Sequence, residues 1–162
     1  LKNFKILLGG LDFSSGEKLN YLELNNNVKV LPLICYEVIF PNTTSLSKKK
    51  FDLIVNITND AWFGTSRGPY QHLALAKIRT VLEGKYMIRV ANTGISTIID
   101  YDGNIVDKIN LGKSGVIDKK LVLYKKNTLY SYLGDYIFYV LLVALVLILI
   151  KINFKYGLKK KI

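Results

Sequence analysis

The sequence predicts an α/β fold, a parallel or mixed sheet with helical connections, followed by one membrane-spanning helix. Three observations predict it. Val28 to Tyr36 and Asp52-Leu-Ile-Val-Asn-Ile-Thr58 are short apolar runs rich in β-branched residues, as buried strands are. The stretch between them, Asn42 to Lys50, is polar and has room for a short helix. Strand, connection and strand in this order is the pattern of neighbouring strands in a parallel or mixed sheet. Finally, Tyr136 to Ile150 carries no charge at all.

The elements follow in order. The loop Asn59-Asp-Ala-Trp-Phe-Gly-Thr-Ser-Arg-Gly68 leaves the second strand. A helix begins near Pro69, which suits a first-turn position, and Gly84 stops it after Glu83. Leu73, Ala76, Ile78 and Val81 give that helix its apolar face. Tyr86 to Ala91 is a further strand. Ile95-Ser-Thr-Ile-Ile-Asp-Tyr101 and Asn104-Ile-Val-Asp-Lys-Ile109 flank Asp102-Gly103, a hairpin turn signal. Gly115 to Leu123 reads as a last short strand.

The terminal segment Leu133 to Ile152 is about the 20 residues a spanning helix needs. A buried core helix has a similar composition, but the flanks favour a membrane. Tyr130, Tyr132, Tyr136 and Tyr139 stand before the run as an interfacial belt. Lys151, Lys155, Lys159, Lys160 and Lys161 stand after it, and no acid follows Asp135. Lys151 is placed to snorkel. The positive-inside rule then puts the C-terminus in the cytoplasm and residues 1 to about 130 on the outer face. Expected boundaries are a domain over 1–130, the membrane helix over 131–153 and a basic tail over 154–162.

The 162 residues include 50% hydrophobic ones and carry a formal net charge of +11. That charge alone would suit a nucleic-acid partner. Its concentration after the apolar run, with one short cluster at Lys48-Lys49-Lys50, argues against one. No RNA-binding aromatic signature and no metal-ligand spacing stand in the sequence, so no nucleic acid, metal or cofactor is expected. The chain begins with Leu1 and has no signal-peptide pattern at its front, so it reads as the C-terminal part of something longer. Its single cysteine, Cys35, has no internal disulfide partner.

Cys35 ends an apolar run and is followed by Tyr36 and Glu37. Taken alone, a free cysteine favours a structural reading, since few residue types are buried more often. At the C-terminal edge of a strand in an α/β sheet it is also where a nucleophile is presented.

The surroundings carry a resemblance. Cys35-Tyr-Glu-Val-Ile-Phe-Pro41 resembles the nucleophile segment of the nitrilase (carbon–nitrogen hydrolase) superfamily. Asn59-Asp-Ala-Trp-Phe-Gly64, Gly68-Pro-Tyr-Gln-His72, Ala76-Lys-Ile-Arg79 with Glu83, Arg89-Val-Ala-Asn-Thr-Gly-Ile-Ser96 and Asp102-Gly103 follow in the order of one branch, the apolipoprotein N-acyltransferases. Soluble nitrilases and amidases lack a terminal membrane helix. The resemblance implies part of a four-layer αββα sandwich outside the cytoplasmic (inner) membrane. It implies ping-pong acyl transfer. A cysteine thiolate takes an acyl chain from a phospholipid as a thioester and passes it to the N-terminal amine of a diacylglyceryl-cysteine apolipoprotein. A thiolate attacks esters readily, and a thioester stays reactive toward amines.

The family's triad is Glu-Lys-Cys, with Glu as general base and Lys on the oxyanion. The cysteine maps onto Cys35. Leu1 to Ile34 offers Glu17, Glu23, Lys2, Lys5, Lys18 and Lys29, none in a matching pattern, so two of the three groups are expected outside this chain. Phe13-Ser-Ser-Gly16, which resembles the segment shortly before the nucleophile strand, supports truncation. The chain alone is expected to be inactive.

Glu37 is the second catalytic candidate, a carboxylate that positions the site; its alternative is a helix-start charge. Tyr36, Trp62 and Phe63 are the substrate-binding candidates, with core packing as the alternative for each. His72 reads as structural, Arg79 and Glu83 as a supporting ion pair, and Asn59 and Asp60 as loop formers through bonds to backbone. Two other functions compete. One is amide or nitrile hydrolysis on the same fold, and the other is a non-catalytic membrane-anchored module.

Overall fold

The computed structural model describes residues 21–24, 27–40, 51–124 and 126–159, with no side-chain detail beyond 153. The expected short helix over 42–50, the Phe13–Gly16 segment and the last lysines lie outside this description.

Six strands form one sheet in sequence order: β1 (Leu22–Leu24), β2 (Val28–Ile34), β3 (Leu53–Asn59), β4 (Tyr86–Asn92), β5 (Ser96–Ile99) and β6 (Ile105–Ile109). β2, β3 and β4 are parallel; β1, β5 and β6 join antiparallel. The sheet is therefore mixed, as its sequence pattern predicts. The parallel register sets Leu33, Asn56 and Arg89 side by side, and one pair further along sets Ile34, Ile57 and Val90 side by side. Since side chains alternate across a strand, these two rows occupy opposite faces.

One face is covered by helix α1 (Gly68–Glu83), which links β3 to β4. Leu31, Leu33, Ile54, Met87 and Ile99 of the sheet pack with Val38 and with Leu73 and Ala76 of α1 into the core. Each of the larger side chains among them contributes roughly 1.5–3 kcal/mol by leaving water. The buried side of α1 is Pro69, His72, Leu73, Ala76, Arg79, Thr80 and Glu83, spaced three and four apart. Ile78 and Val81, expected on that side, are instead 54% and 46% exposed. The helix buries a mixed stripe because polar partners await it on the sheet. Gly84 closes α1 at φ 65°, and its N–H donates to the Thr80 carbonyl.

The opposite face is open among the described residues. Ile34, Ile57 and Val90 are 57%, 52% and 52% exposed, with Pro32, Val55 and Ile88 half-buried beside them. One helix layer and one sheet are thus described.

Three strand boundaries differ from expectation. β2 stops at Ile34 because Cys35 turns to φ 50° and starts a 3-10 turn over Cys35–Ile39. β1 escapes the sequence reading, being three residues long and pointed at solvent. Gly115 to Leu123 forms no ladder among the described residues. It runs mostly exposed, and Lys119 reaches Asp107 of β6 through an ion pair at 3.7 Å rather than through backbone bonds. The Asp102-Gly103 hairpin forms as expected, with Gly103 at φ 82° and the Asp100 carboxylate accepting from the backbone N–H groups of Asp102 and Asn104.

Beyond the sheet, Thr128 caps the short helix α2 (Leu129–Leu133), its hydroxyl accepting from Ser131 N–H at 3.0 Å. The same hydroxyl donates to the Leu82 carbonyl and ties α2 to the end of α1. The chain breaks at Gly134 (φ 51°) and continues as α3 (Tyr136–Lys159). Its first 18 residues, Tyr136–Asn153, are apolar enough and long enough to cross a membrane, and none is buried against the rest of the chain.

Candidate active site

The site lies at the C-terminal end of the parallel strands, where β2 and β3 present their last side chains under the start of α1. Cys35 follows β2 directly. Its φ of 50° is left-handed, a conformation that costs an ordinary residue of order 1–3 kcal/mol. β-Carbon crowding makes the position unfavourable, so surrounding contacts must hold it.

Those contacts come from β3. Asn56 Nδ2 donates to the Leu33 carbonyl at 3.0 Å and to the Cys35 carbonyl at 3.1 Å. Two residues on, Thr58 Oγ1 lies 3.4 Å from Cys35 Sγ. Residues two apart on a strand share a face, so β3 grips the cysteine at both its carbonyl and its thiol.

Behind these residues sits a buried polar cluster. Arg89 of β4 donates through Nη1 to Asn56 Oδ1 and through Nη2 to Asp60 Oδ2 at 2.7 Å. Asp60 Oδ1 faces His72 Nδ1 at 2.9 Å and Thr58 Oγ1 at 3.2 Å. Facing a carboxylate, His72 Nδ1 is the nitrogen that carries the hydrogen; Arg89 Nη2, 3.1 Å away, has only hydrogens to offer it. Arg89, Asp60 and His72 are each 1% exposed. Burial pushes the Arg89 guanidinium down from its ordinary value, and the Asp60 charge and hydrogen bond push back. Gly94 forms the wall, since a β-carbon there would stand 2.5 Å from Asp60 Oδ2.

The five proposed site residues distribute as follows. Cys35 is half-buried at the centre. Glu37 is exposed, and its Oε2 accepts from the Ile34 N–H at 2.7 Å, so it closes the 3-10 turn that carries the cysteine. Tyr36 stacks on the His72 ring with centroids 4.6 Å apart and meets Phe63 at 6.1 Å. Phe63 also presses on Gly68, where a β-carbon would lie 2.6 Å from its ring. Trp62 stands apart at 78% exposure on the short 3-10 turn Ala61–Phe63. The structure therefore gathers Cys35, Tyr36, Glu37 and Phe63 and leaves Trp62 projecting.

Asn59 shapes its loop as expected, its Oδ1 accepting from Ala61 N–H at 3.2 Å. Asp60 does not. Its carboxylate turns inward because Arg89 and His72 offer buried donors. Arg79 Nε lies 3.8 Å from Glu83 Oε1, and Arg79 Nη2 donates to the Phe40 carbonyl at 2.8 Å, just past the cysteine turn. Thr58, Asn56 and Arg89 were not legible as site residues. Their signal was a polar side chain in the middle of an apolar strand.

Residues 12–124 match the family described as carbon–nitrogen hydrolase. An apolipoprotein N-acyltransferase of Rhodopseudomonas palustris is 44% identical over 85% of this chain and 26% of its own length. One of Rickettsia prowazekii is 44% identical over 91% of this chain and 31% of its own length. The chain thus spans about a quarter to a third of the length of these curated relatives. Among solved structures, a carbon–nitrogen hydrolase from Helicobacter pylori G27 shares the fold at a TM-score of 0.55 and 9% identity, covering 63% of this chain and 43% of that one. An amidase from Nesterenkonia sp. does so at 0.51 and 16%, covering 61% and 40%. With residues 12–124 of 162 matched and the fold shared, the chain belongs to the carbon–nitrogen hydrolase family.

Proposed function

We propose that the protein is an apolipoprotein N-acyltransferase of the cytoplasmic (inner) membrane, with Cys35 as its nucleophile. The observation that carries this reading is the placement of Cys35, left-handed at the end of a parallel strand, in a chain that runs on into an exposed apolar helix. The 44% identity to proteins called apolipoprotein N-acyltransferase supports the reaction type.

In this reading the Cys35 thiolate attacks the carbonyl of a phospholipid acyl ester. The ester C–O bond breaks, and the lysophospholipid leaves with a proton. The α-amine of a diacylglyceryl-cysteine apolipoprotein then attacks the thioester. An amide forms, the amine gives up a proton, and the thiol is regenerated. Tyr36 and Phe63 flank the acyl chain, and Trp62 meets the lipid. Glu37 keeps the turn in shape. The family resemblance puts the general base and the oxyanion cation on segments upstream of the nucleophile strand, none of which matches Leu1 to Ile34, and on this reading the 162-residue chain alone does not turn over. Cys35→Ala in the full-length protein should abolish N-acylation of an apolipoprotein substrate, measured by mass spectrometry. Retained transfer would remove Cys35 from the reaction. Release of ammonia from a carboxamide, without acyl transfer, would favour the hydrolase.

The apolar helix is proposed to cross the membrane with the lysine-rich end in the cytoplasm and the sheet on the periplasmic face. A reporter fused after Ile162 should be active only in the cytoplasm. A periplasmic signal would reverse the orientation.

A further inference from the structure

The Thr58 hydroxyl is within reach of two acceptors but has one hydrogen to give. Its oxygen lies 3.4 Å from Cys35 Sγ and 3.2 Å from Asp60 Oδ1. Asp60 does not depend on that hydrogen. Its Oδ2 already receives Arg89 Nη2 at 2.7 Å, and its Oδ1 already receives His72 Nδ1 at 2.9 Å. The hydroxyl is therefore free to turn.

We propose that Thr58 is a catalytic hydroxyl with two positions, and that Asp60 is the positioning residue that holds it. With the sulfur as a thiolate, the hydrogen points to Sγ, because Thr58 is the donor that reaches the sulfur's charge among the described residues, whereas the Asp60 charge is already shared with Arg89 and His72. With the sulfur acylated, Sγ is a poor acceptor and the hydrogen turns to Asp60. No bond is made or broken in the turn. The hydroxyl favours the thiolate over the thiol before attack and withdraws from the thioester after it, so it acts on the nucleophile and not on the adduct.

The geometry behind Thr58 is fixed for this. Asp60 is clamped from β4 by Arg89, from α1 by His72, and from the following turn by Gly94, whose missing side chain makes the space. Arg89 also holds Asn56, which holds the Cys35 carbonyl. One guanidinium thus ties the two β3 side chains that contact the cysteine. His72 closes the circle through its stack with Tyr36, the residue next to the thiol. This inference rests on Cys35 being the nucleophile, and its readout is independent of acyl transfer.

The test is alkylation of Cys35 by iodoacetamide in the full-length protein, followed on the Cys35 peptide by mass spectrometry across a pH series. Thr58→Val should slow alkylation at pH 7 by about tenfold, the loss of a hydrogen bond to a charged group. The pH at which the rate reaches half its plateau should move up, while the plateau itself stays. Thr58→Ser should restore the wild-type profile. Thr58→Ala serves the same comparison if the Val variant does not fold. A Thr58→Val or Thr58→Ala profile that overlays the wild type would overturn the proposal, as would a Thr58→Ser variant no faster than they are. A hydroxyl-dependent profile in a protein that transfers no acyl chain would support this inference and count against the acyltransferase reading.

Discussion

The two faces of the central strands are built from alternate residues of the same few segments, yet they are chemically opposite. On β3, Ile54, Asn56 and Thr58 point toward α1 and are buried, while Val55 and Ile57 point the other way. The helix-covered face ends in a polar cluster in which an arginine, a carboxylate and a histidine are all shut away from water. The open face ends in Ile34, Ile57 and Val90, three apolar side chains each more than half exposed. A buried charge is tolerated only when paired and hydrogen-bonded, and the covered face meets that condition through Arg89 and Asp60. An exposed apolar row of this kind is what a sheet shows where a further layer would pack. The difference teaches where function and stability separate. The covered face spends its burial on holding Cys35 in an unfavourable backbone geometry.

A graded set of substitutions, measured by denaturant unfolding of this chain in detergent, tests that contrast. Arg89→Met should cost the most, about 3–5 kcal/mol, because it leaves Asp60 buried without its cation. Ile54→Ala, fully buried under α1, should follow at about 2–5 kcal/mol. Ile57→Ala, on the same strand but the open face, should stay within about 0.5 kcal/mol. Equal losses at Ile54 and Ile57 would mean that both faces are covered and would break the comparison. A negligible loss at Arg89 would mean that the polar cluster is not closed.

Much of the fold was legible because local chemistry and tertiary structure agree. The apolar runs became β2, β3 and β4; Pro69 and Gly84 bounded α1; Asp102-Gly103 made its hairpin. The misses have physical causes. Gly115 to Leu123 has strand-like alternation but no ladder partner among the described residues. Ile78 and Val81 look like core by composition, yet α1 turns His72, Arg79, Thr80 and Glu83 inward to meet polar groups. The same cause hid half of the site. Cys35 and its neighbours announce themselves in a contiguous segment. The cluster of Asn56, Thr58, Asp60, His72 and Arg89 comes from β3, the turn after it, α1 and β4, and only the register of β3 against β4 and the approach of α1 bring it together.

The central claim is that the thiol at the end of β2 becomes acylated. The most direct measurement is the mass of the Cys35 peptide after incubation of the full-length protein with a phospholipid and no acceptor. The account predicts a peptide heavier by one acyl chain, a mass lost on treatment with neutral hydroxylamine and absent in Cys35→Ala. A protein that modifies apolipoproteins while its Cys35 peptide stays unacylated would contradict it.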